Sequence, residues 1–341
     1  MKTVNIVLMG FGNVGRAFTR IVRDKQSLYR KRYGINVQMK SIFEQGGALF
    51  ISQSSVLDAI LEKKGPQLAE SGHWKSGVKL EEMLKSGEPG VLVECTPSNL
   101  ETGEPGLTHI MNALDSGWHV VTANKGPLVV DFRRLFRKAM KKGLAIGFSG
   151  ATAAALPALD IGLHALAGTE IQGIEGILNG TSNYILTRMT EGLKYPEALR
   201  EAKDKGIAES DPSLDVDGWD TAAKLLLISN ATAGTEFILS DIRVEGIKNL
   251  ALDFVRREKN SPRVLKLLGR LRKKEGQYMA EVVLDFLAPD HPLFGVNGAN
   301  KGITFMTDTM GSVTVTGGKS DPRGAGAALI KDIINIHRQK P

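Results

Sequence analysis

The chain contains 341 residues, of which 42% are hydrophobic, and its formal net charge is +7. This length exceeds the size at which one hydrophobic core usually stops growing, so we expect two domains. The sequence has no uncharged apolar run of about 18 residues, which excludes a membrane-spanning helix. The N-terminal apolar run leads into a glycine motif, which argues against a signal peptide. The single cysteine, Cys95, excludes an internal disulfide and favours the cytoplasm.

The first half of the sequence alternates short apolar runs with helical patterns. The predicted strands are Val4–Met9, Val37–Phe43, Val91–Glu94, His119–Thr122 and Leu144–Ser149. The predicted helices are Gly15–Asp24, Leu57–Lys63, Leu80–Ser86, Gly106–Ser116 and Asp131–Lys142. This alternation predicts an α/β fold in which residues 1–150 form a Rossmann-type, doubly wound parallel sheet.

The pattern changes after Pro157. Helices are predicted at Ala158–Ala167, Tyr184–Glu191 and Pro196–Lys205, and late strands at Gln277–Leu287, Gly302–Thr307 and Gly311–Thr316. Helices and strands in separate blocks predict an α+β domain over residues 151–320. The helical tail, within residues 321–341, is expected to return to the first domain.

Residues 256–274 form the densest basic stretch. Apolar residues recur there at helical spacing with basic residues between them: Val264, Leu265, Leu268 and Leu271, with Lys266, Arg270 and Lys273. This spacing predicts an amphipathic helix with a solvated basic face. Such a face usually serves solubility, so we expect no nucleic-acid partner and a use of the positive charge in attracting anionic small molecules.

The motif GFGNVG lies between the first predicted strand and the first predicted helix. Gly10 permits a tight turn, Gly12 lets a pyrophosphate approach the backbone, and Gly15 packs the helix on the strand. The other residues of the expected binding loop are Phe11, Asn13 and Val14. The motif alone is often only a glycine-rich turn, but its strand–helix context predicts a dinucleotide site.

Glu44 follows the second predicted strand. An acidic residue at this place accepts hydrogen bonds from the adenosine ribose and repels a 2′-phosphate, which favours NAD over NADP. Glu44 lies farther past Gly15 than is usual, and the alternative is a solvent-exposed loop residue. Lys40 could then serve a phosphate instead.

The segment from Gly176 to Lys224 is rich in groups suited to proton transfer and amine binding. It holds five carboxylates within a dozen residues: Glu209, Asp211, Asp215, Asp217 and Asp220. Asp220 and Lys224 stand four residues apart, so both project from one face of a helix. Such a pair is often a surface ion pair. The following apolar run, Leu225–Ile228, instead predicts a buried helix, on which charged residues seldom serve stability.

Several long motifs resemble those of homoserine dehydrogenases in their short form, without a C-terminal regulatory domain. They are GFGNVG, ETGEPGLTHIMNALDSGWHVVTANKGPL, NGTSNYILTRM, ESDPSLDVDGWDTAAK, HPLFGV and GAGAA, and together they span essentially the whole chain. The resemblance implies reversible, NAD(P)-dependent interconversion of L-homoserine and L-aspartate 4-semialdehyde in threonine and methionine biosynthesis. It also implies a homodimer formed through the sheet of the second domain.

The resemblance assigns roles to individual residues. It makes Lys224 the proton donor, with Lys125 and Asp220 as further catalytic residues. The substrate-binding residues that it implies are Glu209, Asp215, Asp220, Gly180 and Thr181. Besides the glycine loop and Glu44, the cofactor-binding residues that it implies are Thr96, Pro97, Lys125, Gly206 and Gly326.

Two positions depart from the family pattern. Ser149 stands where the family usually has a glutamate beside a site for a monovalent cation such as sodium. Backbone carbonyls remain as candidate ligands, at Thr152, Ala154 and Leu156. A hard cation binds weakly without a carboxylate, which weighs against this site.

Ile207 stands where some members of the family have a substrate-contacting tyrosine. Ser149 and Ile207 therefore leave open a related dehydrogenase that acts on another small aldehyde, ketone or amino alcohol. A non-catalytic dinucleotide sensor is a further alternative, which the lysines and carboxylates disfavour. His109 and His119 are predicted to be structural, because no His/Cys spacing indicates a transition metal.

Overall fold

The computed structural model describes residues 1–62, 68–86, 88–256, 262–318 and 320–338. The chain divides into two compact units. Unit 1 comprises Met1–Ala154 and Asp321–Pro341, and unit 2 comprises Ala155–Ser320. The sequence placed this division after residue 150. None of the helices in the described ranges is long and apolar enough to cross a membrane.

Unit 1 is built on a mostly parallel sheet. Its strands are β1 (Lys2–Met9), β2 (Ile35–Glu44), β3 (Gly47–Phe50), β4 (Trp74–Ser76), β5 (Val91–Glu94), β6 (His119–Thr122) and β7 (Ile146–Gly147). In the described residues their order is β4-β3-β2-β1-β5-β6-β7. β1 pairs in parallel with β2 and β5, whereas β3 is antiparallel to β2 and β4. The order reverses at β1, so the carboxyl ends of β1 and β5 form a switch point of the kind where such sheets bind ligands.

The helices of unit 1 form two groups. They are α1 (Asn13–Tyr33), α2 (Ser54–Leu61), α3 (Leu80–Ser86), α4 (Gly106–Asp115), α5 (Gly126–Lys141) and α12 (Pro322–His337). α1 contacts α2 and α12, whereas α4 contacts α3 and α5. Two separate groups are expected where helices cover both faces of a sheet. The predicted Rossmann-type unit is confirmed, and β3 and β4 are antiparallel additions that the sequence pattern did not indicate.

The first helix is much longer than its prediction of Gly15–Asp24. Its apolar side, which includes Phe18, Val22 and Tyr29, remains buried along its whole length. The helix ends at Gly34, whose φ of 66° lies in the left-handed region that favours glycine. Because α1 continues to Tyr33, β2 begins late, and its end lies many residues past the glycine motif.

Three predicted segments extend outside the described residues, at Lys63, at residues 257–261 and at residues 339–341. The strand predicted for Leu144–Ser149 is shorter in the structure, where it is β7 alone. It ends early because a 3-10 turn begins at Ser149.

Unit 2 combines helices with a second sheet. Its helices are α6 (Ala158–Asp160), α7 (Gly180–Thr190), α8 (Tyr195–Asp204), α9 (Ser213–Val216), α10 (Trp219–Thr232) and α11 (Leu252–Val255). Its strands are β8 (Ile171–Ile177), β9 (Arg243–Val244), β10 (Val264–Lys274), β11 (Gln277–Leu287), β12 (Lys301–Thr307) and β13 (Ser312–Gly317). The described strands are ordered β13-β12-β8-β10-β11-β9. The α7 and α10 helices both contact β10, at the centre of this arrangement.

The amphipathic helix predicted within the basic stretch is wrong, because this segment forms β10. The strand pairs with β8 on one side and β11 on the other. Both of its faces are covered, so its apolar residues do not alternate, and their spacing fits a helix face as well as a buried strand. Lys266 and Arg270 are not solvated but only 2% and 7% exposed. Arg270 is instead paired with Glu175 and Asp285, each at 2.6 Å.

The two late strands differ in their position in the sheet. Gly302–Thr307 falls within β12, which lies between β13 and β8 and is therefore not an edge. β12 therefore offers no free edge for pairing with a second copy of the chain. Gly311–Thr316 corresponds to β13, the edge strand, on which exposed and half-buried residues alternate.

Candidate active site

The first cluster of candidate residues lies where α10 begins in unit 2. Gly218 precedes the helix with a φ of 86°, and a Cβ there would lie 2.4 Å from the carbonyl oxygen of Glu245. Asp220 follows in the first turn and Lys224 one turn later, with carboxylate and ammonium 2.6 Å apart. Their side chains are only 9% and 15% exposed. The predicted i, i+4 pair is therefore buried and is not a surface ion pair.

The ammonium of Lys224 is held by two acceptors. Nζ donates to Asp220 Oδ2 at 2.6 Å and to the carbonyl oxygen of Leu178 at 3.0 Å. A lysine ammonium has three hydrogens, and no third acceptor is found for this one within the described ranges. The remaining hydrogen is available to an oxygen atom of a substrate.

Asn179 connects the two acidic residues of the cluster. Its Nδ2 donates to Asp215 Oδ1 at 2.6 Å and to Asp220 Oδ2 at 2.8 Å. Its Oδ1 accepts from the backbone N–H of Ser182 at 2.8 Å, which caps α7. Because the cap determines which way the amide points, both amide hydrogens face the carboxylates.

Asp215 has an environment unlike that of a surface carboxylate. Burial raises the pKa of Asp215, and the nearby charge of Asp220 raises it further. Lys224 and the hydrogen bonds from Asn179 and Thr181 act in the opposite direction but do not cancel the effect of burial. A raised carboxyl pKa beside a buried lysine is a common property of reaction sites.

Gly180 and Thr181 form the first turn of α7, next to this cluster. A Cβ at Gly180 would lie 2.8 Å from the carbonyl oxygen of Ala299 and from Ser320 Oγ, so the backbone passes too close for a side chain. The Thr181 hydroxyl donates to the carbonyl oxygen of Ile207 at 3.1 Å. The free backbone N–H groups of a helix N-terminus can bind a carboxylate of a substrate.

Glu209 and Gly206 lie outside the buried cluster. Both residues are exposed, and no ion-pair partner of Glu209 is found in the described part of the chain. Gly206 follows the end of α8 with a φ of 67°, in the left-handed region that favours glycine, and this turn accounts for the glycine at this position. Ile207 contributes to the site through its backbone carbonyl rather than its side chain.

The glycine motif of unit 1 has the geometry that its sequence predicts. Gly10 has a φ of 85°, and a Cβ there would lie 2.8 Å from the carbonyl oxygen of Cys95. A Cβ at Gly15 would lie 2.2 Å from the carbonyl oxygen of Gly10, whereas the space around Gly12 is open within 4 Å. Phe11 lies between Gly10 and Gly12, and Asn13 and Val14 are the first two residues of α1. The open space at Gly12 fits the approach of a pyrophosphate.

Glu44 is the last residue of β2 and contacts the glycine motif. Its carboxylate accepts a hydrogen bond from the backbone N–H of Phe11. The alternative of a solvent-exposed loop residue is therefore wrong. The unusual spacing from Gly15 follows from the length of α1 and β2, and the contact of Glu44 with a ribose stays a prediction.

The remaining cofactor candidates lie after β5 and β6. Thr96 and Pro97 follow β5, and Lys125 precedes α5. The backbone N–H of Lys125 donates to Ser98 Oγ at 3.0 Å, which joins the two loops. Lys125 belongs to unit 1 and Lys224 to unit 2.

Ser149 is engaged by the C-terminal helix of unit 1. Its backbone N–H and its hydroxyl each donate to the carboxylate of Asp332 at 2.8 Å. Lys331 Nζ donates to the same hydroxyl at 2.8 Å. Burial raises the pKa of Asp332. Ser149 thus fixes α12 to the rest of the unit.

The carbonyls expected at the cation site belong to both units. Thr152 and Ala154 are in unit 1, and Leu156 is in unit 2, where its carbonyl accepts from the N–H of Ala158 at 2.8 Å. The described residues contain no group of three or more histidine, cysteine, aspartate or glutamate residues that could hold a metal ion. The carbonyl site for a monovalent cation stays a prediction.

Gly326 has a packing role in unit 1. It is buried where α12 meets α1, and a Cβ there would lie 2.8 Å from the backbone nitrogen of Phe18. This contact between the two helices accounts for the glycine by packing, and the cofactor contact of Gly326 stays a prediction.

Two groups at these sites were not recognised from the sequence. Asn179 binds the carboxylates of Asp215 and Asp220, which lie 36 and 41 positions away in the sequence, so no local spacing indicates its role. His109 was predicted only to be structural, and the sequence gave no sign that its ring contacts the buried carboxylate of Glu94 at 2.7 Å. Contacts like these depend on the tertiary fold, which brings together residues 15 to 41 positions apart.

The raised pKa of Asp215 yields a prediction about stability. The ordinary pKa is 3.8, and because the folded state raises it, the stabilising contribution of the neutral acid is lost as the pH rises through the folded-state value. We therefore expect Asp215→Asn to raise the midpoint of thermal unfolding at pH 7, with a difference that disappears below about pH 3.8. Differential scanning fluorimetry across this pH range measures the effect.

The matched control is Asp211→Asn, which removes the same charge from an exposed residue. The hydrogen bond from the Ser213 hydroxyl lowers the pKa of Asp211, so this variant should not gain stability at pH 7. A lowered midpoint for Asp215→Asn at pH 7 would show that the hydrogen bonds to its carboxylate outweigh the cost of burial.

Models of one protein family match both units of the chain. The model "Homoserine dehydrogenase, NAD binding domain" matches residues 10–149. The model "Homoserine dehydrogenase" matches residues 157–334. The two matches contain the glycine motif and the acidic cluster with Lys224, respectively.

Named relatives agree with this assignment over nearly the whole chain. A homoserine dehydrogenase of Methanocaldococcus jannaschii is 36% identical over 98% of both chains. An NAD(+)-dependent homoserine dehydrogenase of Pseudomonas canavaninivorans is 30% identical over 99% of this chain and 97% of its own. The solved structure of a hyperthermophilic archaeal homoserine dehydrogenase in complex with NADPH matches with a TM-score of 0.83 and 25% identity, over 99% of both chains. With both units and all of these motifs matched, the chain belongs to the homoserine dehydrogenase family.

Proposed function

We propose that this protein is an NAD(P)-dependent homoserine dehydrogenase, which interconverts L-homoserine and L-aspartate 4-semialdehyde in threonine and methionine biosynthesis. The observation that carries the proposal is the buried ammonium of Lys224, held by Asp220 and the carbonyl of Leu178. A lysine placed in this way can donate a proton to an oxygen on which negative charge develops. The direct test follows NADPH oxidation with L-aspartate 4-semialdehyde and the reverse reaction with L-homoserine.

The glycine motif is suited to a dinucleotide. The open space at Gly12 and the N-terminus of α1 would accept the pyrophosphate, and Glu44 would meet the adenosine ribose. Thr96 and Lys125, in the loops after β5 and β6, would contact the nicotinamide end. When bound, the nicotinamide supplies or accepts the hydride.

The substrate would be oriented by charges of unit 2. Reduction of the aldehyde leaves a developing alkoxide, and the third hydrogen of the Lys224 ammonium would protonate it. Asp220 aligns the ammonium for this transfer. Asp215, with Glu209 as a second candidate, would bind the substrate ammonium, and the N–H groups of Gly180 and Thr181 would bind its carboxylate.

Replacement of Lys224 tests its role as the proton donor. We expect Lys224→Met to lower kcat by about two to four orders of magnitude, the usual contribution of a positioned acid. The Kd for NADPH, from fluorescence titration, should change little because the residue acts on the substrate. The control is Lys248→Met, an exposed lysine of the same unit. Turnover near the parent value in Lys224→Met would exclude this lysine as the donor.

Cofactor preference follows from the position of Glu44. Its carboxylate repels a 2′-phosphate, so we expect a higher kcat/KM with NADH than with NADPH. Glu44→Ser should narrow this difference chiefly by improving the KM for NADPH. The control is Glu62→Ser, which removes a carboxylate after the end of α2. Equal efficiency with both cofactors in the parent protein would show that Glu44 does not set the preference.

We infer that the protein forms a homodimer through the sheet of unit 2. The edge strand β13 supports this inference, because its unpaired backbone groups and alternating exposed residues suit pairing with a second copy. Light scattering should then give a mass of 2 × 36.9 kDa = 73.8 kDa. Ser312→Lys and Thr316→Lys, which place charges on β13, should weaken the dimer. Thr309→Lys, in the exposed turn before β13, should not. A single-chain mass for the parent protein would contradict the inference.

We infer a cytoplasmic location from the same function. An NAD(P)-dependent biosynthetic enzyme draws on the cytoplasmic pools of its cofactor. The single cysteine, Cys95, allows no internal disulfide, which agrees with that compartment.

A further inference from the structure

Glu94 ends β5 with a fully buried carboxylate, at 0% exposure. Oε1 accepts from the backbone N–H of Thr96 at 2.7 Å and from the Thr96 hydroxyl. Oε2 lies 2.7 Å from His109 Nδ1, on α4. Among the described residues neither a lysine nor an arginine contacts Glu94, and its carboxylate is bound by Thr96 and by the His109 ring.

A buried carboxylate is costly to retain unless its acceptors are filled. Here they are filled by donors of one short loop and one helix. A leucine or methionine side chain would fill a similar volume without this requirement. The arrangement therefore indicates that Glu94 has a role beyond packing. The other contacts of Thr96 show what that role is.

Thr96 connects the loop after β5 with the loop after β6. The side-chain amide of Asn124 donates to Thr96 Oγ1 at 3.2 Å and to the carbonyl oxygen of Pro97 at 3.3 Å. Asn124 Oδ1 accepts from the N–H of Gly126 at 2.9 Å, where α5 starts. Both loops thus share one set of hydrogen bonds that begins at Glu94.

The loop after β5 also lies against the glycine motif. A Cβ at Gly10 would be 2.8 Å from the carbonyl oxygen of Cys95 and 3.0 Å from the nitrogen of Thr96. A displacement of Thr96 towards Gly10 would therefore press on the backbone of the glycine motif. Three loops meet at the switch point between β1 and β5, and Glu94 lies beneath all of them.

We propose that Glu94, together with His109, is the positioning group of the cofactor-binding edge of unit 1. The carboxylate fixes Thr96, and through Thr96 it fixes the loops that would contact the nicotinamide end of the dinucleotide. Neither Glu94 nor His109 needs to touch the cofactor. The proposal rests on the function proposed above only for the identity of the ligand, since its geometry lies within unit 1.

The test measures NADH and NADPH binding to the full-length protein by fluorescence titration, without an amino-acid substrate. Glu94→Leu and His109→Leu should each raise the Kd about tenfold, as expected when a hydrogen bond to a charged group is lost. Glu94→Gln should stay within about threefold of the parent, because its oxygen still accepts from Thr96 and its amide can donate to the other tautomer of His109. Rescue by glutamine would separate positioning from a need for negative charge.

Glu104→Gln is the matched control. Its carboxylate also accepts from the backbone N–H and hydroxyl of one threonine, Thr108, but it is exposed. We expect its Kd to equal that of the parent. Thr96→Val, which removes only the hydroxyl, provides a second variant if Glu94→Leu does not fold, and it should also weaken binding.

Two results would overturn the proposal. One is parent-like affinity in His109→Leu and Thr96→Val. The other is a loss in Glu94→Gln as large as that in Glu94→Leu. A protein that binds NADPH but leaves homoserine unreacted would overturn the proposed substrate only. Because binding is measured without substrate, the two failures are distinguishable.

Discussion

The ion pair between Lys224 and Asp220 is the interaction on which the arrangement of unit 2 depends. A buried ammonium needs acceptors, and it has two here: Asp220 on α10 and the carbonyl of Leu178 after β8. Asn179, next to Leu178, donates to the same carboxylate oxygen of Asp220 and so holds the acceptor in place. Removal of one member would leave an uncompensated charge, which is far more costly than the pair itself. The requirement therefore fixes the N-terminus of α7 beside that of α10.

In unit 1 the comparable constraint is the close approach of backbone segments to one another, and it does not involve a charge. Gly10, Gly15 and Gly126 each lie where a Cβ would meet a backbone oxygen, the last at 2.3 Å from Asn99. Loops packed this closely cannot shift independently of one another. If a ligand binds at this edge, such close packing would reduce the ordering that binding must impose.

The parts of the fold that the sequence predicts well are those with local signals. The glycine motif, the alternation of strands and helices, and the Asp220–Lys224 spacing all depend on neighbours in the chain. The strand β10 has no such signal, because burial on both faces removes the alternation that marks a strand. Burial lowers the pKa of Lys266 in this strand to about 8. Its Nζ donates to three neutral acceptors, of which the carbonyl oxygen of Val296 is nearest at 2.6 Å, and these bonds stabilise the buried lysine.

The candidate sites follow the same division. Residue types near one another in sequence, such as Asp215 and Asp220, are recognisable as a cluster, whereas the partners that determine their chemistry come from elsewhere. Asn179 is 41 positions from Asp220, and Glu94 is 15 positions from His109. The same physical cause produces both cases, since a buried acid must find donors and the fold supplies them from distant segments. The polar residues that donate to a buried acid, such as Asn179, are therefore better indicators of function than the charged residues alone. Each of them restricts the direction in which the charged group points.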